Sequence, residues 1–237
     1  MNIRPLSFLT RPFFPTRCFQ CNMLLRPVEQ SLCQFCIASL PRLSKLDQEK
    51  LTRIGTTIHS SFSASLFFTE PVQTLCYSLK YGANPTLART LGERIIAPDL
   101  IANWRKKGLQ TRTMVLCPMP IHARRKFKRG YNQSQELAVG CARELRRYAL
   151  SVKVVPVLQK SGHRKSQINF GPFERWINTS NAFRVSPVQK KRIPKDALVV
   201  LIDDTVTTGS SMLHAAEALQ KELGTTPLLL HALALEI

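Results

Sequence analysis

The chain has 237 residues, enough to bury a core and carry a small appendage, and its 44% hydrophobic and 21% charged content excludes a disordered or fibrous class. Thirty-four Lys and Arg against fifteen Asp and Glu leave a net charge of +19, which points to a polyanionic ligand or to nucleic acid. No apolar run approaches the roughly 20 residues of a membrane helix, and the Pro-broken start to Pro15 lacks the form of a secretory signal.

Residues 1–45 are Pro-rich and carry four of the seven cysteines. Cys18-x-x-Cys21 and Cys33-x-x-Cys36 repeat one spacing, and two such turns complete a tetrahedron of thiolates around Zn²⁺. A redox pair and buried free thiols are the alternatives. Two matched pairs favour a closed, structural four-cysteine site whose metal supplies the folding energy of a segment with little core. An odd cysteine count dominated by such pairs fits a reducing cytoplasm better than a disulfide framework.

From residue 50 onward strands alternate with helices. Thr57 to Phe68 reads as extended, Pro71 to Lys80 as a helix stopped at Gly82, and Asn84-Pro85 as the start of another helix with Leu87, Leu91 and Ile95 on one face. Met114 to Cys117 is a short buried strand ended by Pro118 and Pro120. The segment 124–129 that follows holds five cations in six positions, next to Gly130-Tyr131-Asn132-Gln133. A helix is expected from about Ser134 to Tyr148, a strand over Val152 to Leu158, and then a polar, Pro- and Gly-punctuated stretch over about 159–195. A loop of that length inside a compact domain is usually functional. Ala197 to Ile202 reads as a strand, Ser210 to Leu223 as a helix closed by Gly224, and Leu228 to Leu235 as a last strand. The alternation argues for an α/β fold with a parallel sheet flanked by helices.

The strongest motif is the apolar strand ending in Asp203-Asp204, then Thr205-Val206-Thr207-Thr208-Gly209-Ser210-Ser211 running into a helix. Ligands of open α/β sheets sit beyond the carboxyl ends of strands, and N–H groups of a tight loop before a helix cradle phosphate. Gly209 admits close backbone approach, and the Thr and Ser hydroxyls add donors. Two acids before the cradle cannot bind phosphate. They can accept from ribose hydroxyls and help hold Mg²⁺ that comes with the ligand.

This string resembles the phosphoribosyl-diphosphate (PRPP) motif of type I phosphoribosyltransferases. The resemblance implies that Asp203 and Asp204 contact the ribose, and that Thr205, Thr207, Thr208, Gly209, Ser210 and Ser211 hold the 5′-phosphate. Thr207 stands where purine-salvage members keep an Asp base, which argues against hypoxanthine-guanine chemistry. Taken with the four-cysteine knuckle, the PxPxH…RGYNQ segment at 118–133, Leu79-Lys80-Tyr81-Gly82 and the stretch Gln167, Arg175, Asn178, the chain resembles the ComF family, also called the GntX group. That family is linked to natural competence and the use of external DNA. The resemblance implies a type I phosphoribosyltransferase-like domain over 50–237 after a zinc knuckle at 1–45, in a cytoplasmic protein. Cys117 to Pro120 would form the diphosphate loop. Met119, Pro120, Arg129, Lys165, Gln167 and Arg175 would lie on the diphosphate side, the latter three on a hood over 159–183. Two functions compete: Mg²⁺-dependent use of PRPP by an enzyme, and a non-catalytic PRPP or nucleotide sensor that binds single-stranded DNA or a competence helicase. Phe127, Tyr131, Phe170, Phe173 and Trp176, interleaved with cations, could stack on bases in the second.

Overall fold

The computed structural model describes residues 16–56, 60–106, 113–148, 150–160, 182–224 and 226–236. Two short helices, α1 (Gln34–Ser39) and α2 (Lys45–Thr56), precede β1 (Ser61–Phe67) and α3 (Glu70–Tyr81). A long helical stretch follows, made of α4 (Pro85–Leu91), a π-helical turn Gly92–Ile96 and α5 (Ala97–Lys106). Next come β2 (Met114–Pro118), α6 (Ala123–Arg129), α7 (Gln133–Arg147), β3 (Val152–Val154), β4 (Leu158–Lys160), β5 (Phe183–Val185) and α8 (Pro187–Lys190). The chain closes with β6 (Leu198–Val206), α9 (Ser210–Leu223) and β7 (Leu228–Leu235).

Five strands form one parallel sheet in the order β1-β7-β6-β2-β3. A parallel sheet covered on both faces needs strands that are apolar on both, as β2 and β6 are. Their side chains alternate between two cores. Met114, Leu116, Leu198, Val200 and Ile202 join Leu137, Cys141 and Leu145 of α7 on one face. Val115, Cys117, Val199 and Leu201 join Met212, Ala215, Ala216 and Leu219 of α9 on the other. The α/β class with a helix-flanked parallel sheet therefore stands as the sequence predicts. Helices α4 and α7 meet backbone to backbone, because a Cβ on Gly92 would strike the Leu137 carbonyl and one on Gly140 the Arg89 carbonyl.

Two strands differ from expectation. The single strand predicted over 152–158 breaks at Pro156, which has no N–H for the ladder; beyond it β4 pairs antiparallel with β5 in a separate ribbon. The strand predicted to stop at Ile202 runs on through both acids to Val206, because Asp203 and Thr205 stay in register with Ala232 and Ala234 of β7. The open side of β1 is shielded: Phe67 N–H donates to Pro41 O at 2.9 Å, and Arg42 bridges Leu66 antiparallel.

His231 lies buried in β7 between two hydroxyls of β1, Ser63 Oγ at 2.8 Å from Nδ1 and Ser65 Oγ at 2.9 Å from Nε2. Burial pushes its pKa down to about 4. A depressed histidine contributes stability that is present above its unfolded value near 6.5 and lost as pH falls toward 4. Urea unfolding should therefore show stability falling by up to about 1.4 kcal/mol per pH unit across that window from this group. His231→Gln should flatten the slope, and an unchanged slope would show that another group titrates there.

Candidate functional site

Strands β2 and β6 are neighbours, so the turns after Pro118 and after Val206 open at the same end of the sheet. Sequence and backbone pairing together place Asp203 and Asp204 there. Asp203 Oδ1 accepts from Ser134 Oγ at 2.9 Å and from its neighbour Asp204 N–H at 2.9 Å. Burial first, and then the charge of Asp204, raise its pKa well above the ordinary carboxylate range. Asp204 is 4% exposed; Oδ1 accepts from Thr205 N–H at 2.9 Å. Its Oδ2 is buried without a hydrogen-bond donor, with Lys80 Nζ at 3.5 Å. Lys80, reaching over from α3, also donates to Thr205 Oγ1 at 2.9 Å.

The loop beyond β6 exposes Thr207, Thr208, Ser210 and Ser211, while Gly209 is buried at φ +77°. A Cβ there would lie 3.0 Å from the Phe62 ring, so glycine is needed for the turn itself. Gly209 is also the N-cap of α9, and it offers no side-chain oxygen to the first N–H groups of that helix. Helices α4, α6, α7 and α8, by contrast, are capped by Asn84, His122, Asn132 and Ser186.

On the other flank a cleft of about 400 Å³ is lined by Lys80, Tyr81, Ala83, Arg125, Lys128 and Arg129. Arg129 lies 5.7 Å over the Tyr81 ring and donates to Gln133 Oε1 at 3.0 Å. Ala83 takes φ 45°, a left-handed turn unusual for a residue with a Cβ. Met119 is buried, with its N–H donated to Ile202 O at 2.8 Å and its carbonyl accepting from Asn132 Nδ2 at 2.9 Å. It thus shapes the loop while its own backbone groups are engaged, and Pro120 beside it is half-buried. Lys165, Gln167, Arg175 and Asn178, with Phe170, Phe173 and Trp176, lie outside the described residues.

Sequence reasoning assigned no task to Ser134 or Tyr81, and it gave Arg125 and Lys128 a diphosphate-side role only as members of the cationic run 124–129. Lys80 was visible only as part of a matching tetrapeptide, since its contacts with Asp204 and Thr205 span over a hundred residues.

At the other end of the chain the Sγ atoms of Cys18, Cys21, Cys33 and Cys36 all lie within 4.8 Å of one another. Cys33 N–H points at Cys18 Sγ at 3.3 Å and Cys36 N–H at Cys33 Sγ at 3.4 Å. Burial raises the Cys18 thiol, but N–H groups of Cys21, Cys33 and Gln20 outweigh it and hold the pKa at about 7. Four converging sulfurs suit a metal such as zinc.

Fold and site together define an α/β protein with an open, acid-bearing strand end beside a hydroxyl-rich loop that leads into α9, and a four-cysteine cluster near the N-terminus. Named relatives bear out the ComF-family resemblance. Competence protein F of Haemophilus influenzae is 26% identical over 221 residues, covering 88% of this chain and 93% of that protein. DNA utilization protein YhgH of Salmonella typhimurium is 30% identical over 159 residues, 64% of this chain, and the match spans 62% of the relative's length. YhgH of Escherichia coli K12 is 29% identical over 153 residues, again 64% of this chain and 62% of the relative. No family model matches the chain. Among solved structures, a hypoxanthine phosphoribosyltransferase from Trypanosoma cruzi matches with a TM-score of 0.32 at 15% identity, over 65% of this chain and 67% of that one. So slight a superposition carries nothing about chemistry. Among the described residues no helix is long and apolar enough to cross a membrane.

Proposed function

We propose that the chain binds PRPP with Mg²⁺ at the ends of β2 and β6 and serves in the uptake or use of DNA. One juxtaposition supports this best. At the N-terminus of α9 the N-cap Gly209 has no side-chain acceptor, and only Thr208 Oγ1 takes the Ser210 N–H, at 3.4 Å. This helix start follows a short loop after two acids, one of which keeps a buried oxygen with no hydrogen-bond donor and Lys80 Nζ at 3.5 Å. An anion at the helix start and a polyhydroxyl or cationic group at the acids would satisfy both at once. In this reading Thr205, Thr207, Thr208, Gly209, Ser210 and Ser211 take the 5′-phosphate, while Asp203 and Asp204 accept from ribose hydroxyls. Asp204 Oδ2 suits the Mg²⁺ that accompanies the ligand. The cations of the cleft, with Arg129 and the turn at Met119 and Pro120, face the diphosphate, joined by Lys165, Gln167 and Arg175. Such a site stabilises a leaving diphosphate electrostatically. Thr207 offers no base to an acceptor, so ligand binding is the part of the reading that stands on residues. Calorimetric titration of PRPP with Mg²⁺ should give a saturable heat, and the ligand should raise thermal stability as the logarithm of its excess over Kd. No heat at millimolar PRPP would overturn the reading.

The DNA role rests on the names of the relatives and on one surface. Phe127 is 94% exposed among Arg124, Arg125, Lys126 and Lys128 on α6, a helix that buries none of its residues. An unburied aromatic amid cations suits bases and phosphates of a single strand. The cationic run at 190–192 is a weaker candidate, since Lys190 Nζ pairs with Glu222 at 3.0 Å. Single-stranded DNA should bind with an affinity that falls steeply with salt, and Phe127→Ala with Arg124→Glu and Lys128→Glu should weaken it at least tenfold at about 50 mM salt. Binding indifferent to salt would remove this surface from the argument.

A further inference from the structure

The segment joining α6 to α7 does something the ligand contacts do not account for. Tyr131 Oη donates to Leu79 O at 2.6 Å, across 52 residues of sequence. Asn132 Nδ2 donates to Met119 O at 2.9 Å, across 13 residues. Ser134 Oγ donates to Asp203 Oδ1 at 2.9 Å, across 69 residues. Three side chains within four positions thus hold the end of α3, the turn after β2 and the acid end of β6. We infer that Tyr131, Asn132 and Ser134 are positioning residues that brace the three walls of the site, with Ser134 orienting Asp203 for a ribose diol. This rests on the ribosyl reading above.

Each bond has a local reason. Leu79 lies in the last turn of α3, where carbonyls have no partner within the helix, and Tyr131 satisfies it. That fixes the backbone from which Lys80 reaches Asp204 and Thr205. Asn132 works with both ends of its amide: Oδ1 caps α7 by accepting from Ser134 N–H at 3.1 Å, while Nδ2 takes the Met119 carbonyl. The cap sets where α7 begins and so where Ser134 points. Ser134 is fully buried, so no water competes for its hydroxyl. Its bond and that of Asp204 N–H converge on Oδ1 of Asp203, which fixes the carboxylate plane and leaves Oδ2 held by neither. A group that recognises a diol through two oxygens depends on that plane being set in advance. The phosphate cradle, Thr207 to Ser211, receives none of these three bonds.

The test separates bracing from general stability. Ser134→Ala is titrated with PRPP, ribose 5-phosphate and inorganic phosphate, and amide exchange at Asp204 is followed in the ligand-free protein. Affinity for the two ribosyl ligands should fall about tenfold, the loss expected of one hydrogen bond to a charged group, while inorganic phosphate is unaffected. The Asp204 amide, which leans on the carboxylate that Ser134 holds, should exchange at least several-fold faster. Ser134→Cys, close in size with a weaker donor, should fall between, and serves as the test protein if the alanine variant folds poorly. Equal loss for all three ligands, or no loss, overturns the inference. If wild type binds none of them, the ribosyl reading falls, and the exchange measurement alone decides the brace: an unchanged Asp204 amide overturns it.

Discussion

Asp203→Asn should stabilise the ligand-free protein at neutral pH and weaken PRPP at least tenfold, two effects of opposite sign from one atom. The stability gain comes from the raised pKa of this carboxyl, caused by burial and by the charge on Asp204. A group whose folded pKa is raised contributes stability fully present below its unfolded value and lost as pH rises through the folded one. At neutral pH the native state therefore carries a cost that an amide does not. Asparagine keeps the Oδ1 acceptor for Ser134 Oγ and Asp204 N–H, so the local hydrogen bonds survive the exchange. Thermal midpoints should rise by a few degrees, since 1 kcal/mol corresponds to about 2–4 °C in a domain of this size. The ligand loss comes from replacing a charged acceptor, worth about 1.5–3 kcal/mol per hydrogen bond. Asp204→Asn should differ. Its charge faces Lys80 Nζ at 3.5 Å, so neutralising it leaves that partly buried ammonium without its counter-charge and lowers stability. Parallel melts with and without PRPP and Mg²⁺ decide the matter. A destabilised Asp203→Asn protein would show that the acid pair is structural rather than held for a ligand.

The legible parts of the fold are those whose signal is local. The apolar run Leu198 to Ile202 gives the first part of β6, and the periodic stretch from Ser210 to Gly224 gives α9 residue for residue, because apolar continuity and helical spacing are local signals there. The four cysteines converge as their spacing predicts. What escaped is non-local or lacks an apolar pattern. Nothing near Asp203 signals that the strand continues, since the pairing that holds it comes from β7. Helix α6 buries no residue and has no apolar face to betray it; it is held by His122 Nδ1 accepting from Arg124 N–H at 3.2 Å and by Gly130 at φ 78° closing onto Lys126 O. Ser134 looks like any serine in the first turn of a helix until the fold brings Asp203 beside it.

Cys33→Ser should release one equivalent of Zn²⁺ and melt the knuckle, with a cost felt well beyond it. Cys33 carries more than a ligand atom: it is 4% exposed, its Sγ caps α1 by accepting from Cys36 N–H at 3.4 Å, and its N–H is directed at Cys18 Sγ. Serine replaces a soft thiolate with a hydroxyl that zinc does not favour, leaving three sulfurs and an opened site. The apparent free energy of structural zinc in small fingers is about 10–16 kcal/mol, so a segment this short is not expected to hold its fold without the ion. The damage spreads because Cys18, Leu32, Cys33, Cys36 and Leu40 share one core with Leu66, Val72 and Leu75. Pro41 moreover accepts the Phe67 N–H that shields β1. The expected result is a protein whose sheet remains, by far-UV circular dichroism, but whose thermal midpoint falls by several degrees, about 2–4 °C for each kcal/mol lost. Chelation of wild type should reproduce it, and added Zn²⁺ should reverse chelation but not the serine variant. Metal analysis of protein purified without added zinc should give close to one equivalent for wild type. A native, metal-free chain with four free thiols and an unchanged midpoint in Cys33→Ser would mean that these sulfurs meet for packing alone.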